Sequence, residues 1–254
     1  MAGGRDFVRL AAVGDLHYGK ASRGQLQPLF SAVTQAEADI LLLLGDLTDY
    51  GLADEAAELA RELTGGIKIP IIAVLGNHDF ESGNVAELSR ILTDAGVKLL
   101  DGESVEVLGI GFAGVKGFAG GFGRGALGPW GEDVVKQFVH EAVKEALKLE
   151  SALARLRAHT RIALLHYAPI AGTVEGEPRE IWPYLGSGRL EEPLTRYPVT
   201  AVFHGHAHHG QPEGHTANGT PVYNVSWPLL TARNPEQPVR LLDVTLTGEV
   251  VTPR

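Results

Sequence analysis

Short, almost wholly apolar runs alternate with helical patterns through the first half of this chain. The runs at residues 7–14, 40–44 and 70–75 are rich in Val, Ile and Leu, which is typical of strands that are buried on both faces. Between them, residues 25–37 and 53–63 carry apolar side chains at the spacing of an amphipathic helix. The pattern therefore predicts a β-α-β-α-β series built on a largely parallel sheet.

The second half of the pattern predicts a further sheet. A helix at 85–94 leads into short strands at 97–100, 104–108 and 110–113, and a long helix follows at 132–159. Strands at 160–165, 199–203, 221–225, 239–247 and 250–252 would complete the second sheet. Residues 114–130 are so rich in glycine that we expect a long loop there. A loop of that length is typical of a functional segment, and a disordered spacer would have the same composition.

Composition and charge bound the class of protein. With 254 residues, of which 44% are hydrophobic and 21% charged, the chain can form one large α/β domain, 1–254. A net charge of −9 argues against a nucleic-acid partner. Because cysteine is absent, disulfides and thiolate metal sites are excluded. The start lacks a secretory pattern and no apolar run reaches roughly 18 residues, so we expect a cytoplasmic protein without a membrane span.

Side chains that can bind metal follow five of the predicted strands. Open α/β sheets bind ligands at the carboxyl ends of their strands, so we expect these side chains to meet in one crevice. Each alone is more typical of a turn, a helix cap or a structural histidine, and only the joint pattern indicates a site. They are Asp15 and His17 in GDLHYG, Asp46 in GDLTD, Asn77 and His78 in GNHD, His166 in LLHYAP, and His206 and His208 in HGHAHHG.

Taken in order, these phrases resemble the signature of the calcineurin-like metallophosphoesterases: D-x-H, G-D, G-N-H-[D/E], H and G-H-x-H. The branch that the pattern resembles most is the cyclic-nucleotide-phosphodiesterase-like one. The resemblance implies a four-layer α/β/β/α sandwich of two mixed sheets flanked by helices. It also implies two divalent or mixed-valence transition-metal ions per chain, and a ligand set without sulfur suits Mn, Fe or Zn.

The same resemblance implies a role for each motif residue. The ligands would be divided between two ions: Asp15, His17 and His208 on one, Asn77, His166 and His206 on the other, and Asp46 bridging both. His78 would face the phosphate, and Asp49 would orient its imidazole, although a helix cap is an equal interpretation of Asp49. A hydroxide between the ions would be the nucleophile, because two cations lower the pKa of bound water.

The expected substrate is a small phosphate ester, with a diester favoured by the branch that the chain resembles. Tyr50 stands where protein phosphatases of the wider family carry an arginine, which argues against a protein phosphatase. A phosphomonoesterase, a nuclease and a non-catalytic metal-binding scaffold of the same fold stay open as alternatives, as does a homo-oligomer. A nuclease is disfavoured because the sequence shows no basic groove that could bind a nucleic acid. A scaffold is disfavoured because every residue of the family motifs is retained.

Two further expectations concern the surroundings of the site. We expect substrate specificity to lie in the glycine-rich loop, with Arg124 as its fork for phosphate or carboxylate. We expect Asp79 to brace its loop and His204 to lie outside the metal ligands. Candidates for a substrate wall are Tyr18, Tyr167, Phe118, Phe122, Arg124 and Trp227, although aromatic residues near a core usually belong to the core.

Overall fold

The computed structural model describes residues 6–19 and 22–251 of the chain. The strands of this part are β1 (Val8–Val13), β2 (Ile40–Leu44), β3 (Ile71–Val74), β4 (Lys98–Leu99), β5 (Glu103–Val107), β6 (Ile110–Gly114), β7 (Arg161–Leu164), β8 (Ala201–His204), β9 (Glu213–His215), β10 (Pro221–Asn224), β11 (Arg240–Val244) and β12 (Val250–Val251). The helices are α1 (Gln27–Gln35), α2 (Ala53–Gly66), α3 (Val85–Asp94), α4 (Asp133–Arg155), α5 (Trp182–Leu185), α6 (Glu191–Arg196) and α7 (Trp227–Arg233).

The strands form two six-stranded sheets, and both sheets are mixed. The first has the order β12-β11-β1-β2-β3-β4, with β1 to β4 parallel and β11 and β12 antiparallel to their neighbours. The second has the order β5-β6-β7-β8-β10-β9, in which β6, β7, β8 and β10 are parallel and the two edge strands are antiparallel. The prediction of an α/β fold with two mixed sheets is confirmed.

Alternate side chains of each central strand point into different layers. Leu41 and Leu43 of β2 pack with α1 and α2, whereas Leu42 and Leu44 of the same strand pack against the second sheet. On the far side, Ala163 of β7 packs with the long helix α4. This double burial explains why β2 reads as an unbroken apolar run, and it gives the order helix, sheet, sheet, helix. The four-layer sandwich is therefore present.

The elements that the sequence analysis missed are the short ones. The helices α5, α6 and α7 span four to seven residues, which is too short to show a helical period, and the sequence analysis assigned none of them. Proline stands in the first turn of α5 and α7, where its missing N–H costs nothing. The edge strand β9 was also missed. Of the strand predicted at 250–252, residue 252 lies outside the described residues.

The glycine-rich loop is held in place by main-chain hydrogen bonds. Gly114 ends β6, and the loop runs from there to α4 with a single 3₁₀ turn at Gly123–Gly125. Gly120 N donates to Pro183 O at 2.7 Å, and Gly121 N donates to Gly186 O at 2.8 Å. A disordered spacer would have no such partners, so the functional interpretation of this loop is favoured.

Within the described residues, no helix is both long and apolar enough to cross a membrane.

The layer between the sheets makes a testable contribution to stability. Phe112 of β6 lies there with 0% of its surface exposed. We expect Phe112→Ala to lower the free energy of unfolding by about 3–5 kcal/mol, because a cavity replaces the ring. The matched control is Leu147→Ala on α4, where the side chain is 57% exposed and the change should stay within about 0.5 kcal/mol. Urea denaturation of both variants measures this, and equal losses would contradict the packing described.

Candidate metal centre

The predicted metal ligands lie on the turns that follow five strands of the two sheets. Asp15 and His17 follow β1, Asp46 follows β2, Asn77 follows β3, His166 follows β7, and His206 and His208 follow β8. Three of these strands belong to the first sheet and two to the second. The carboxyl ends of both sheets therefore meet at one edge of the sandwich, and the turns from both sheets face a common centre.

One group of ligand atoms centres on His166. Asp15, Asp46, His166 and His206 each offer an atom within 4.8 Å of the atoms of the others. His166 Nε2 lies 3.4 Å from Asp46 Oδ2 and 3.0 Å from Asn77 Oδ1. A buried imidazole nitrogen, a carboxylate oxygen and an amide oxygen thus converge. This is a donor set that suits a divalent transition metal.

A second group adjoins the first. Asp15, His17 and His208 also offer atoms within 4.8 Å of one another. His208 Nε2 lies 3.1 Å from Asp15 Oδ1, and His17 Nε2 lies 3.8 Å from Asp46 Oδ2. Asp15 belongs to both groups, and the Asp46 carboxylate lies between His17 of one group and His166 of the other. All seven predicted ligands are therefore neighbours in space.

Four of these ligands have a left-handed backbone. The φ angles are 58° at Asp15, 43° at His17, 47° at Asp46 and 69° at His206, and the other described non-glycine residues with positive φ are Glu37 and Leu108. Such angles cost free energy in residues with a Cβ and persist only where their surroundings fix them. The alternation of side chains along a strand does not place Asp15 and His17, because β1 ends at Val13. Instead, His17 N donates to Asp46 O at 2.9 Å across the turn.

The glycines of the motifs make room for ligands from neighbouring strands. A Cβ on Gly76 would lie 2.1 Å from Asp46 Oδ1, and a Cβ on Gly45 would lie 2.4 Å from His166 Nδ1. A Cβ on Gly205 would lie 2.4 Å from Asp15 Oδ2. No real Cβ approaches so closely. At these three positions, the glycine before one predicted ligand leaves room for a predicted ligand of another motif.

Main-chain groups fix the orientation of two ligands. His166 Nδ1 donates to Leu44 O at 2.9 Å, so its Nε2 is the atom that faces Asp46. The main-chain N–H of His206 donates to the Asp15 carboxylate at 2.9 Å, while its ring nitrogen Nε2 lies 3.2 Å from Tyr184 O. The sequence could not indicate Tyr184, because a main-chain carbonyl leaves no side-chain signal.

Burial and ion pairing act in opposite directions on the charges here. Burial would raise the pKa of the Asp46 carboxyl, but the adjacent His166 outweighs it and lowers that pKa. Asp46 in turn outweighs the desolvation of His166 and raises its pKa. The hydrogen bond to Asp15 raises the pKa of His208, whereas burial lowers the pKa of His206 to about 3. The buried Asp46 therefore stays ionised and attracts a cation, which would replace the imidazole protons.

One buried atom of the site has no hydrogen-bond partner. His17 Nε2 is shielded from solvent and is unpaired among the described residues. Leaving a buried nitrogen unpaired costs free energy unless something else binds it. Its neighbours are carboxylate oxygens and imidazoles, so a metal cation fits this position by its chemistry.

His78 contacts Asp49 through the main-chain carbonyl of Asp49, not through its carboxylate as the sequence analysis expected. His78 Nδ1 donates to the main-chain oxygen of Asp49 at 2.7 Å, and the Asp49 carboxylate instead lies 3.6 Å from His17 Nδ1. His78 N also donates to Asp46 Oδ1 at 2.8 Å. The alternative of a helix cap fails, because Leu52 precedes α2 and the Glu55 carboxylate accepts from the N–H groups there.

Asp79 and His204 support the site from behind. The buried Asp79 carboxylate accepts from Leu47 N, Gly76 N and both the N–H and the hydroxyl of Thr48. It therefore ties the turn after β2 to the turn after β3. His204 is buried, and its Nε2 contacts Thr173 Oγ1 at 2.8 Å. It lies in neither group of ligand atoms.

The proposed substrate wall is only partly present. A cleft of ≈ 530 Å³ opens beside Asp15 and His17, and Trp227 is among its lining residues. Tyr18 is buried and donates to Glu62, so it belongs to the core. Phe122 packs in a small apolar cluster with Trp182. Tyr167 packs against the predicted ligand His166, and Phe118 packs against Tyr167, with Lys116 near both rings.

His204 gives the metal-free protein a defined dependence on pH. Burial lowers the pKa of His204 to about 4, whereas the pKa of an unfolded histidine is about 6.5. Between these two pH values the unfolded chain binds a proton that the folded protein does not bind. The free energy of unfolding therefore falls as the pH is lowered from about 6.5 to about 4. We expect His204→Gln to remove roughly 1–3 kcal/mol of the stability loss between pH 7 and pH 4. Urea denaturation with a chelator present measures this, and parallel pH profiles would contradict it.

Comparisons with known proteins bear on the fold and the family of this chain. A protein of Danio rerio described as a transmembrane protein with metallophosphoesterase domain is 28% identical over 103 residues, which are 39% of this chain and 23% of that protein. The solved structure of TT1561 from Thermus thermophilus is 14% identical, with a TM-score of 0.58 over 94% of this chain and 99% of that one. A phosphatase structure from Mycoplasma pneumoniae is 15% identical, with a TM-score of 0.56 over 97% and 91%.

These neighbours establish the fold, and the family is established by sequence. The family model described as calcineurin-like phosphoesterase matches residues 8–210, from the first strand to just beyond the last predicted ligand. Every turn that contributes to the candidate centre lies inside this range. The chain belongs to the calcineurin-like phosphoesterase family.

Proposed function

We propose that this protein hydrolyses a small organic phosphodiester with the help of two divalent transition-metal ions. The observation that carries the proposal is the position of the Asp46 carboxylate. Its Oδ2 lies 3.8 Å from His17 Nε2 and 3.4 Å from His166 Nε2, between the two groups of potential ligands. A single carboxylate between two sets of nitrogen and oxygen atoms is suited to bridge a pair of cations.

The ligands would be divided as the family resemblance implies. Asp15, His17 and His208 would hold one ion, Asn77, His166 and His206 the other, and Asp46 both. When bound, such ions act as Lewis acids that lower the pKa of water and neutralise phosphate oxygens. The absence of thiolates favours Mn, Fe or Zn. A cytoplasmic location and a homo-oligomer stay predictions.

The chain's own contribution to the chemistry lies in His78. Because Asp49 O accepts from Nδ1, the opposite nitrogen Nε2 is the one available to substrate. In the imidazolium form, Nε2 can donate its proton to the leaving oxygen as the phosphorus–oxygen bond breaks. The carbonyl of Asp49 stabilises the charged ring during this step. The ring of His78 lies 4.5 Å from the ring of His17, which places it beside the ligands.

Removing His78 should abolish most turnover without emptying the centre. We expect His78→Ala to lower kcat about 10²- to 10⁴-fold on a chromogenic phosphodiester with added Mn, because the leaving oxygen loses its proton donor. The matched control is His209→Ala, an exposed histidine next to a ligand, which should retain full activity. Metal content by elemental analysis should be unchanged in both variants.

The same assay separates the alternatives. A screen of monoesters, linear diesters and cyclic nucleotides decides which ester is preferred, and a preference for monoesters would contradict the diester proposal. Bound metal with no turnover on any phosphate ester would indicate a scaffold instead. Salt-sensitive binding and cleavage of single-stranded DNA would indicate a nuclease.

The bridging role of Asp46 predicts the metal content of a variant. Asp46→Asn keeps the shape of the side chain but removes its charge, so we expect both ions to be lost rather than one. Elemental analysis of freshly purified protein measures the metal per chain. Asp94→Asn, on the exposed end of α3, is the control and should retain the full content. A loss of half the metal in Asp46→Asn would contradict the bridge.

A further inference from the structure

A lysine at the start of the glycine-rich loop is fixed beside the metal centre. Lys116 lies two residues beyond β6, and its main-chain oxygen accepts from His166 N at 3.0 Å and from Tyr167 N at 3.1 Å. Its backbone is therefore held by the same turn that presents a predicted metal ligand. The position of Lys116 relative to the centre is thus set by main-chain contacts rather than by a free loop.

The ammonium group of Lys116 lies among three aromatic rings. Its Nζ is 5.4 Å from the ring centroid of Phe80, 5.0 Å from that of Phe118 and 5.1 Å from that of Tyr167. These distances are within the range of cation–π attraction. Nζ also donates to Gly117 O at 2.9 Å. Rings and a carbonyl hold the cation in place, but they leave its charge unneutralised.

No carboxylate in the described part of the chain forms an ion pair with Lys116. The buried Glu145 is nearby, but it is already taken by Lys148 Nζ at 2.7 Å and by Gly117 N at 2.8 Å. Burial lowers the pKa of the Lys116 ammonium, against the opposing effect of Glu145. Lys136 and Lys144, on the neighbouring helix α4, each have a carboxylate partner. Lys116 is thus a half-buried cation to which an incoming anion could bind with little competition.

The aromatic rings connect this cation to the reacting groups. The ring of Tyr167 lies 4.6 Å from the ring of His206 and 5.4 Å from the ring of His166. Phe80 ends the 3₁₀ turn that begins at His78, and 39% of its surface is exposed. One ring thus separates the ammonium of Lys116 from the metal ligands. A substrate that reaches past this ring would bring a second group to Lys116.

We propose that Lys116, Phe80, Phe118 and Tyr167 form a specificity subsite for a second anionic group of the substrate. This group is a carboxylate or a further phosphate on the alcohol portion, several bonds away from the reacting phosphorus. The rings contact the apolar stem of that alcohol, and Lys116 binds its anionic end. The inference rests on the proposed function. In this proposal, Lys116 rather than Arg124 is the residue of the glycine-rich loop that binds an anionic group of the substrate.

The test uses a matched pair of chromogenic phosphodiesters. In one, the second alcohol is a short alkyl chain that ends in a carboxylate, and in the other the same chain ends in the methyl ester. We expect the wild type, with Mn, to show a kcat/KM about 10- to 100-fold higher for the carboxylate. Lys116→Met should lose this preference with little change on the methyl ester, and Lys116→Arg should keep part of it. The control Lys144→Met, on an exposed lysine, should behave as wild type.

Binding of non-hydrolysable analogues keeps the inference testable without turnover. Calorimetry with Mn-loaded protein compares the phosphonate that carries the carboxylate with its methyl ester, and the preference should again vanish in Lys116→Met. Absence of hydrolysis on both diesters, with this binding preference intact, would overturn the proposed function and not the subsite. An equal loss on both compounds in Lys116→Met, or no preference in the wild type, would overturn the subsite.

Discussion

The structure of this site depends on the close approach of turns from neighbouring strands, which is possible only where glycine leaves space. Asp46 lies against Gly76, His166 lies against Gly45, and Asp15 lies against Gly205. A side chain at any of these glycines would displace a ligand that belongs to a different motif. The turns also force four ligands into left-handed backbone angles, whose strain is held by hydrogen bonds between turns such as Asp15 N to Gly45 O at 2.9 Å. The contacts among the turns therefore fix the positions of the predicted ligands, as a preorganised metal site requires.

The buried polar groups around the centre make this arrangement stable. Asp79 is a buried carboxylate whose pKa is raised by desolvation, and its hydrogen bonds to the turns after β2 and β3 offset part of that cost. Burial lowers the pKa of His204, whose ring lies between Gly205 O and Thr173 Oγ1. These two residues contact no substrate in the proposed mechanism. Their hydrogen bonds fix the turns on which Asp46, Asn77 and His206 lie.

The glycine-rich loop and the segment around residues 183–188 form one border of the site. Main-chain hydrogen bonds join them, and Tyr184 O lies 3.2 Å from His206 Nε2. Lys116 leads into this border with an ammonium that has rings but no carboxylate as partners. This border lies on segments other than the turns that carry the predicted metal ligands, so a change in the border can alter the substrate preference without replacing a ligand.

The sequence alone determined the longer elements, the two-sheet fold and the candidate metal ligands that the fold brings together. The apolar run of β2 and the spacing of apolar residues in α4 indicate which side chains are buried. The five motifs indicate which side chains can bind a metal ion. Tertiary structure decided the contacts that use main-chain atoms, which every residue carries and no sequence pattern marks. It gave His78 the carbonyl rather than the carboxylate of Asp49, gave His206 the carbonyl of Tyr184, and placed Lys116 among three rings. The short helices α5, α6 and α7 also required it, since they are stabilised by packing and are too brief to show a period.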